Sequence, residues 1–224
     1  MATGENGLRK NFHQQLDELY LDLLRMSNLC LERIEETRQA FAALDMAAAE
    51  AIISGDDEID DYRELVEENG FELIARQAPV AIDLRNIIVI MRLAQHLERV
   101  ADLCVNISKA IKNLEGRVLS PWIRENMDEM FRYAGEILAR AMEAFKAKDP
   151  MAVDQLNVMD EKVDSINRAF FTGFDKESCE DMDLIIRVVM ISRFVERIAD
   201  HAVDIGEHVH FLVTGSVHDD DERH

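Results

Sequence analysis

The chain has 224 residues, enough for one large domain or two small ones with a workable core. Its 48 % apolar content argues against disorder, and three prolines and nine glycines among many Leu, Ile, Val, Ala and Met favour long helices over short strands. A formal charge of −20 argues against binding nucleic acid or anionic membrane through a general basic patch, and presents free phosphate with an unfavourable long-range field.

The prolines punctuate the chain. The first half reads as helical from about Leu8 to Ile53, with a break near Asp45, then from Asp56 to Gln77 and, beyond Pro79, from Val80 to Leu114. The second half reads as helices from Trp122 to Lys146, Met151 to Phe171 and Glu180 to Val213, with Pro121 and Pro150 at the breaks. The stretch MATGENGLRK has no apolar segment resembling a signal peptide, and no later segment approaches the roughly 18 apolar residues of a membrane span. Cys30, Cys104 and Cys179 are widely spaced and lack a CxxC pair, so they read as reduced thiols of a cytoplasmic protein.

An internal repeat organises these elements. Residues 87–107 (IIVIMRLAQHLERVADLCVNI) and 185–205 (IIRVVMISRFVERIADHAVDI) share eight identities in 21 positions at constant offset. Asp83 and Asp181 match at the same offset, and upstream DDEID at 56–60 corresponds to DEKVD at 160–164. The fold class expected is all-α: two tandem, pseudo-symmetric antiparallel three-helix bundles, one at 7–115 and one at 121–215. Residues 216–224 form an acidic tail expected to be disordered.

On a helical wheel the last helix of the first repeat places Leu93, Leu97, Val100, Cys104 and Ile107 on its apolar face. Glu98, Asp102 and Asn106 follow at i, i+4, i+8 along the margin of that face. Glu196, Asp200 and Asp204 repeat the stripe in the second unit. The middle helices carry Asp56 with Asp60 and Asp160 with Asp164 at the same four-residue spacing, which puts each pair on one side of its helix. Folding the first hairpin about residue 79 and the second about residue 180 brings the pairs of each unit level. Four converging carboxylates repel unless a cation sits among them, and a hard cation or borderline transition metal with oxygen ligands suits that place. Arg99 and Arg197 are near in sequence but point further toward solvent on the wheel. The bland alternative is a solvated acidic face.

ARQAPVAIDLRNI at 75–87, LERVADLCVNI at 97–107 and RFVERIADHAVDIGE at 193–207 together resemble the PhoU family of phosphate-signalling regulators. The resemblance covers nearly the whole chain and implies two three-helix bundles. It further implies a negative regulator of the phosphate-starvation response and of phosphate uptake, a cytoplasmic homodimer that links the phosphate-transporter ATPase subunit to a sensor histidine kinase. The metals it implies are divalent or trivalent ions, iron, zinc, manganese or magnesium, held in a multinuclear cluster. Their ligands map onto Asp56, Asp60, Glu98 and Asp102 in one repeat and Asp160, Asp164, Glu196 and Asp200 in the other. Asn106 and Asp204 hold the unequal third stripe position.

Other residues carry less. His96 on a flank and His201 near the apolar edge read as packing or surface residues, and Met91, Met182 and Met190 as core packing. Glu207-x-x-His210 is a single Glu-x-x-His element, whereas a ferritin-like di-iron enzyme needs two. No phosphate-binding loop, nucleophile elbow or paired Cys and His suggests catalysis. A di-iron metalloenzyme and a metal-free structural bundle are the competing readings.

Overall fold

A computed structural model of the chain describes residues 2–173 and 181–218, with side chains from residue 11 onward. All its regular structure is helical, with no strand among the described residues. In order these are α1 (Ala2–Ala43), α2 (Met46–Ser54), α3 (Asp57–Gln77), α4 (Ala81–Lys112), α5 (Pro121–Ala147), α6 (Ala152–Thr172) and α7 (Met182–Thr214). Residues 219–224 of the acidic tail, Cys179 and the segment 174–180 at the second turn lie outside the described residues.

The boundaries follow local chemistry. The long first helix breaks near Asp45: Leu44 enters the left-handed region, and the Asp45 carboxylate accepts from the Ala47 and Ala48 amides at 2.9 and 3.0 Å to start α2. Ala78 in the left-handed conformation closes α3 just before Pro79, whose ring disfavours helix at the residue before it. Ser120 caps α5 with Pro121 in the first turn, and Asp181 caps α7 by accepting from the Leu184 amide at 3.1 Å.

Within the first repeat α4 packs on α1, α2 and α3, and within the second α7 packs on α5 and α6. The repeats also meet directly, α4 against α7 and α1 against α5, so one continuous hydrophobic core runs through both. Leu93, Leu97, Val100, Cys104 and Ile107 of α4 are wholly buried, as are Val195, Ile198, Ala202 and Ile205 of α7. Each large aliphatic side chain so removed from water contributes about 1.5–3 kcal/mol. Met182 and Met190 depart from the core role read from the sequence: they are 59 % and 48 % exposed, and beside Met190 it is Val188 and Ile191 that α7 turns into the core.

The hairpin registers agree with the sequence-based midpoints. Gly70 of α3 faces Ile87 and Met91 of α4, and a Cβ at Gly70 would stand 2.6 Å from Met91 Sδ. Those residues pair about position 79. Asn167 of α6 and Ser192 of α7 bond at 3.0 Å in the buried centre of the other hairpin, pairing about 179.5. Gly206 lets α7 approach α6 closely, where an added Cβ would stand 2.4 Å from Leu156 Cδ1.

Candidate metal centres

In the first hairpin Asp56 immediately precedes α3 and Asp60 lies in its first turn. Acidic residues are favoured there by the unpaired amides and partial positive charge of the helix N-terminus. The facing residues Glu98 and Asp102 lie on α4, fixed by the buried Leu97 and Val100 beside them. The four groups feel one another. Burial, then Asp60 and Asp102, pushes the Asp56 carboxyl up, while Arg33 and Lys109 oppose the shift. Burial and Asp102 raise Asp60, and burial and Asp102 raise Glu98 against the pull of Arg99. Carboxylates from two helices thus share one electrostatic neighbourhood. Asn106 is exposed one turn further along.

Arginines temper this face. Arg99 is largely exposed, as the wheel indicates, yet its side chain bends back to Asp102 at 2.9 Å and Glu98 at 3.4 Å. Arg33 spans from α1 to the carbonyls of Ile52 and Gly55 at 2.7 and 3.0 Å, beside Asp56. Arg63 pairs with Glu67 and Glu64. Arg99 stands within the acidic motif itself, whereas Arg33 reaches in from α1 and Arg63 lies further along α3, contacts that the acidic spacing does not give.

The second hairpin repeats the acidic set with different support. Asp160 and Asp164 sit in the middle of α6, and Glu196, Asp200 and Asp204 on α7. Glu196 is 8 % exposed, deeper than the core margin on which the wheel puts it, because α5 and α6 both cover α7. Its Oε1 accepts from Arg193, and its Oε2 is buried without a hydrogen-bond partner. Burial, Asp200 and Asp164 all raise the Glu196 carboxyl. Asp200 is raised by partial burial, Asp164 and Asp204. Arg168 lies 3.5 Å from Asp164. An orphaned buried carboxylate oxygen among acidic neighbours fits a bound cation, since such a group otherwise forfeits its hydration without compensation.

The stripe's third member behaves otherwise. Burial works to raise the Asp204 carboxyl, but His201, His96 and His208 hold it below its usual range. Asp204 Oδ2 lies 3.5 Å from His96 Nδ1 and 3.6 Å from His201 Nδ1. The two histidine Nδ1 atoms are 3.2 Å apart, and His96 Nε2 is 3.2 Å from His208 Nε2. His96, His201 and Asp204 are therefore close enough to hold one metal ion. Burial pushes the His96 ring down to about 4, so it is neutral at pH 7. The reading of His96 and His201 as ordinary packing residues misses this cluster, since its members lie on helices from different repeats. A signal was available in the duplication itself: at constant offset the counterparts are Phe194, Leu103 and Ala110, so all three histidines break the repeat.

The remaining elements narrow the chemistry. His210 Nδ1 lies 2.9 Å from the Pro150 carbonyl, a contact that commits that nitrogen to the backbone and away from a di-iron arrangement. Cys30 and Cys104 are buried free thiols, with Cys30 Sγ 3.2 Å from the Leu97 carbonyl and burial pushing Cys104 up to about 12. Neither is poised as a nucleophile. No helix among the described residues is long and apolar enough to cross a membrane.

Fold and site together define a duplicated helical scaffold in which two hairpins each gather carboxylates from facing helices. The PhoU domain family matches residues 23–111 and 127–209, one match per repeat, and the chain belongs to the PhoU family. It is 32 % identical over 216 residues to phosphate-specific transport system accessory protein PhoU homolog 1 of Mycobacterium leprae, covering 96 % of this chain and 97 % of that protein. It is 31 % identical over 213 residues to the PhoU homolog of Clostridium acetobutylicum, covering 92 % and 96 %. The crystal structure of PhoU from Pseudomonas aeruginosa superposes with a TM-score of 0.84 at 26 % identity, over 92 % of this chain and all of that one. The phosphate transport system regulatory protein PhoU from Streptococcus pneumoniae superposes with a TM-score of 0.83 at 27 % identity, over 93 % and 99 %.

Proposed function

We propose that this protein is a metal-binding regulatory adaptor that represses the phosphate-starvation response and restrains phosphate uptake. It acts by binding: the scaffold holds the transporter's ATPase subunit and a sensor histidine kinase in a repressing assembly, from the cytoplasmic side and as a homodimer. The acidic faces hold divalent or trivalent cations, with Asp56, Asp60, Glu98 and Asp102 as ligands on one and Asp160, Asp164, Glu196 and Asp200 on the other, and Asn106 and Asp204 at the ends of the stripes. Bound cations neutralise the faces and offer open coordination positions to a partner's carboxylate or phosphate.

The observation that carries the metal reading is the buried, partnerless Oε2 of Glu196 among carboxylates that raise one another. Membership of a family whose relatives are named as phosphate-transport accessory proteins supports the regulatory reading. Deleting the gene and measuring phosphate-starvation gene expression in phosphate-rich medium tests the regulation. Derepression is expected, and persistent repression would refute it. Metal analysis of protein purified without chelator tests the sites. Glu98→Gln/Asp102→Asn and Glu196→Gln/Asp200→Asn should each lose the ions of one face, and a wild type that binds no metal on titration sinks the proposal.

A further inference from the structure

The two repeats are joined along the seam between α4 and α7, and that seam carries a cluster with no counterpart inside either repeat. His96 comes from the first repeat, and His201, Asp204 and His208 from the second. His96 Nδ1, His201 Nδ1 and Asp204 Oδ2 form a triangle with edges of 3.2, 3.5 and 3.6 Å. Zinc bonds of about 2.0–2.1 Å to nitrogen or carboxylate oxygen put neighbouring ligands of a tetrahedral ion about 3.4 Å apart. The triangle therefore already has the size of one face of a zinc coordination tetrahedron.

We infer that the α4–α7 seam is a binding site for one borderline divalent transition-metal ion, best suited to Zn2+, held by His96, His201 and Asp204 and bridging the two repeats. This site shares Asp204 with the end of the second stripe but takes no ligand from the four-carboxylate sets of the hairpins, and it does not depend on their holding metal. Its ligand set is different in kind: two imidazoles and one carboxylate select zinc-like ions, whereas all-oxygen faces suit harder cations.

The surroundings also match a metal site. A metallated Nδ1 leaves His96 with its proton on Nε2, which then donates to His208 Nε2 at 3.2 Å. Ligating histidines commonly use their second nitrogen in this way, which fixes the tautomer and the ring plane. The His96 and His201 side chains are 20 % and 21 % exposed and Asp204 45 %, so the ion has an entry path while the rings are held by packing. The protein supplies three ligands and water takes the fourth position. Arg92, near His96 and His208, opposes the ion, against Asp204 in the cluster and a chain charge of −20. An ion here ties a helix of each repeat to the other, so its binding energy is linked to the inter-repeat contact and to folding.

Titrating the chelator-stripped full-length protein with Zn2+, and separately recording the visible absorption of its Co2+ form, tests the site. The wild type should show the intense absorption of tetrahedral Co2+, and Glu98→Gln/Asp102→Asn/Glu196→Gln/Asp200→Asn should retain it. His96→Gln/His201→Gln should lose that band and one equivalent of Zn2+ while keeping the ions of the acidic faces. His208→Ala should keep the stoichiometry and weaken Zn2+ binding about 10–100-fold. Zn2+ should raise the unfolding temperature of the wild type more than that of the histidine double variant. A wild type without tetrahedral Co2+ absorption overturns the inference, and so does a double variant with unchanged Zn2+ stoichiometry. If instead only the acidic-face variant loses metal, the hairpin reading stands and the seam site falls.

Discussion

The acids of the first hairpin stand at the start of α3, where the helix terminus itself stabilises negative charge, and arginines from α1, α3 and α4 lie close by. Those of the second lie in mid-helix on α6, opposite a buried Glu196 with one oxygen unanswered. Neighbouring carboxylates thus raise one another in both repeats, but arginines temper the first face while the second keeps a buried carboxylate oxygen with no partner. Duplication preserved the ligand-like residues while the residues around them diverged, and those surroundings set how much each face gains from a cation.

The largest expected effect is at Glu196. In chelator, Glu196→Leu removes a buried carboxylate with an unpaired oxygen and should stabilise the protein by about 1–3 kcal/mol in denaturant unfolding. Glu98→Leu should gain less, because Arg99 Nε lies 3.4 Å from Glu98 Oε2. Equal gains would erase the contrast between the faces.

A second test uses pH. The His96 pKa is lowered on folding to about 4, so its contribution is present above the unfolded value near 6.5 and is lost as pH falls through that value toward 4. Relative to His96→Gln in chelator, the wild type should lose about 2 kcal/mol between pH 7 and pH 5. The acidic faces have the opposite sign. Asp56, Asp60, Glu98, Glu196 and Asp200 are all raised on folding, so their repulsion grows as pH rises from the ordinary carboxylate range through the raised values. The stabilisation gained by neutralising Glu98, Asp102, Glu196 and Asp200 should therefore shrink as pH is lowered from 7 to 5. A gain that stays constant would mean that the faces do not titrate as a group.

Two smaller effects sharpen the comparison further. Ser192 bonds Asn167 in the core of the second hairpin, where the first repeat has Ala94 at the matching position. Ser192→Ala should cost about 1 kcal/mol by leaving Asn167 short of a partner, measured by thermal unfolding. Arg99→Ala and Arg193→Ala remove side chains that are 61 % and 51 % exposed, and each should change stability by less than about 1 kcal/mol in chelator.

Much of this organisation is legible along the chain. The helix order follows from apolar periodicity and from the breaks at Pro79, Pro121, Pro150 and near Asp45, which act within one turn of where they stand. The pairing of Asp56 and Asp60 with Glu98 and Asp102 is legible too, since an antiparallel hairpin with a short turn has only one register about Pro79. The burial of Glu196 is less so, because a wheel shows one helix and not the two that cover it.

The sequence by itself determined the duplication, the helices and the acidic spacing, because these depend on interactions a few residues apart or on a single short turn. Only the tertiary structure decided which cations temper each face and that His96 meets His201, His208 and Asp204. Those contacts join residues more than 100 positions apart across the α4–α7 seam, where packing of the two repeats, and no local propensity, sets the distance.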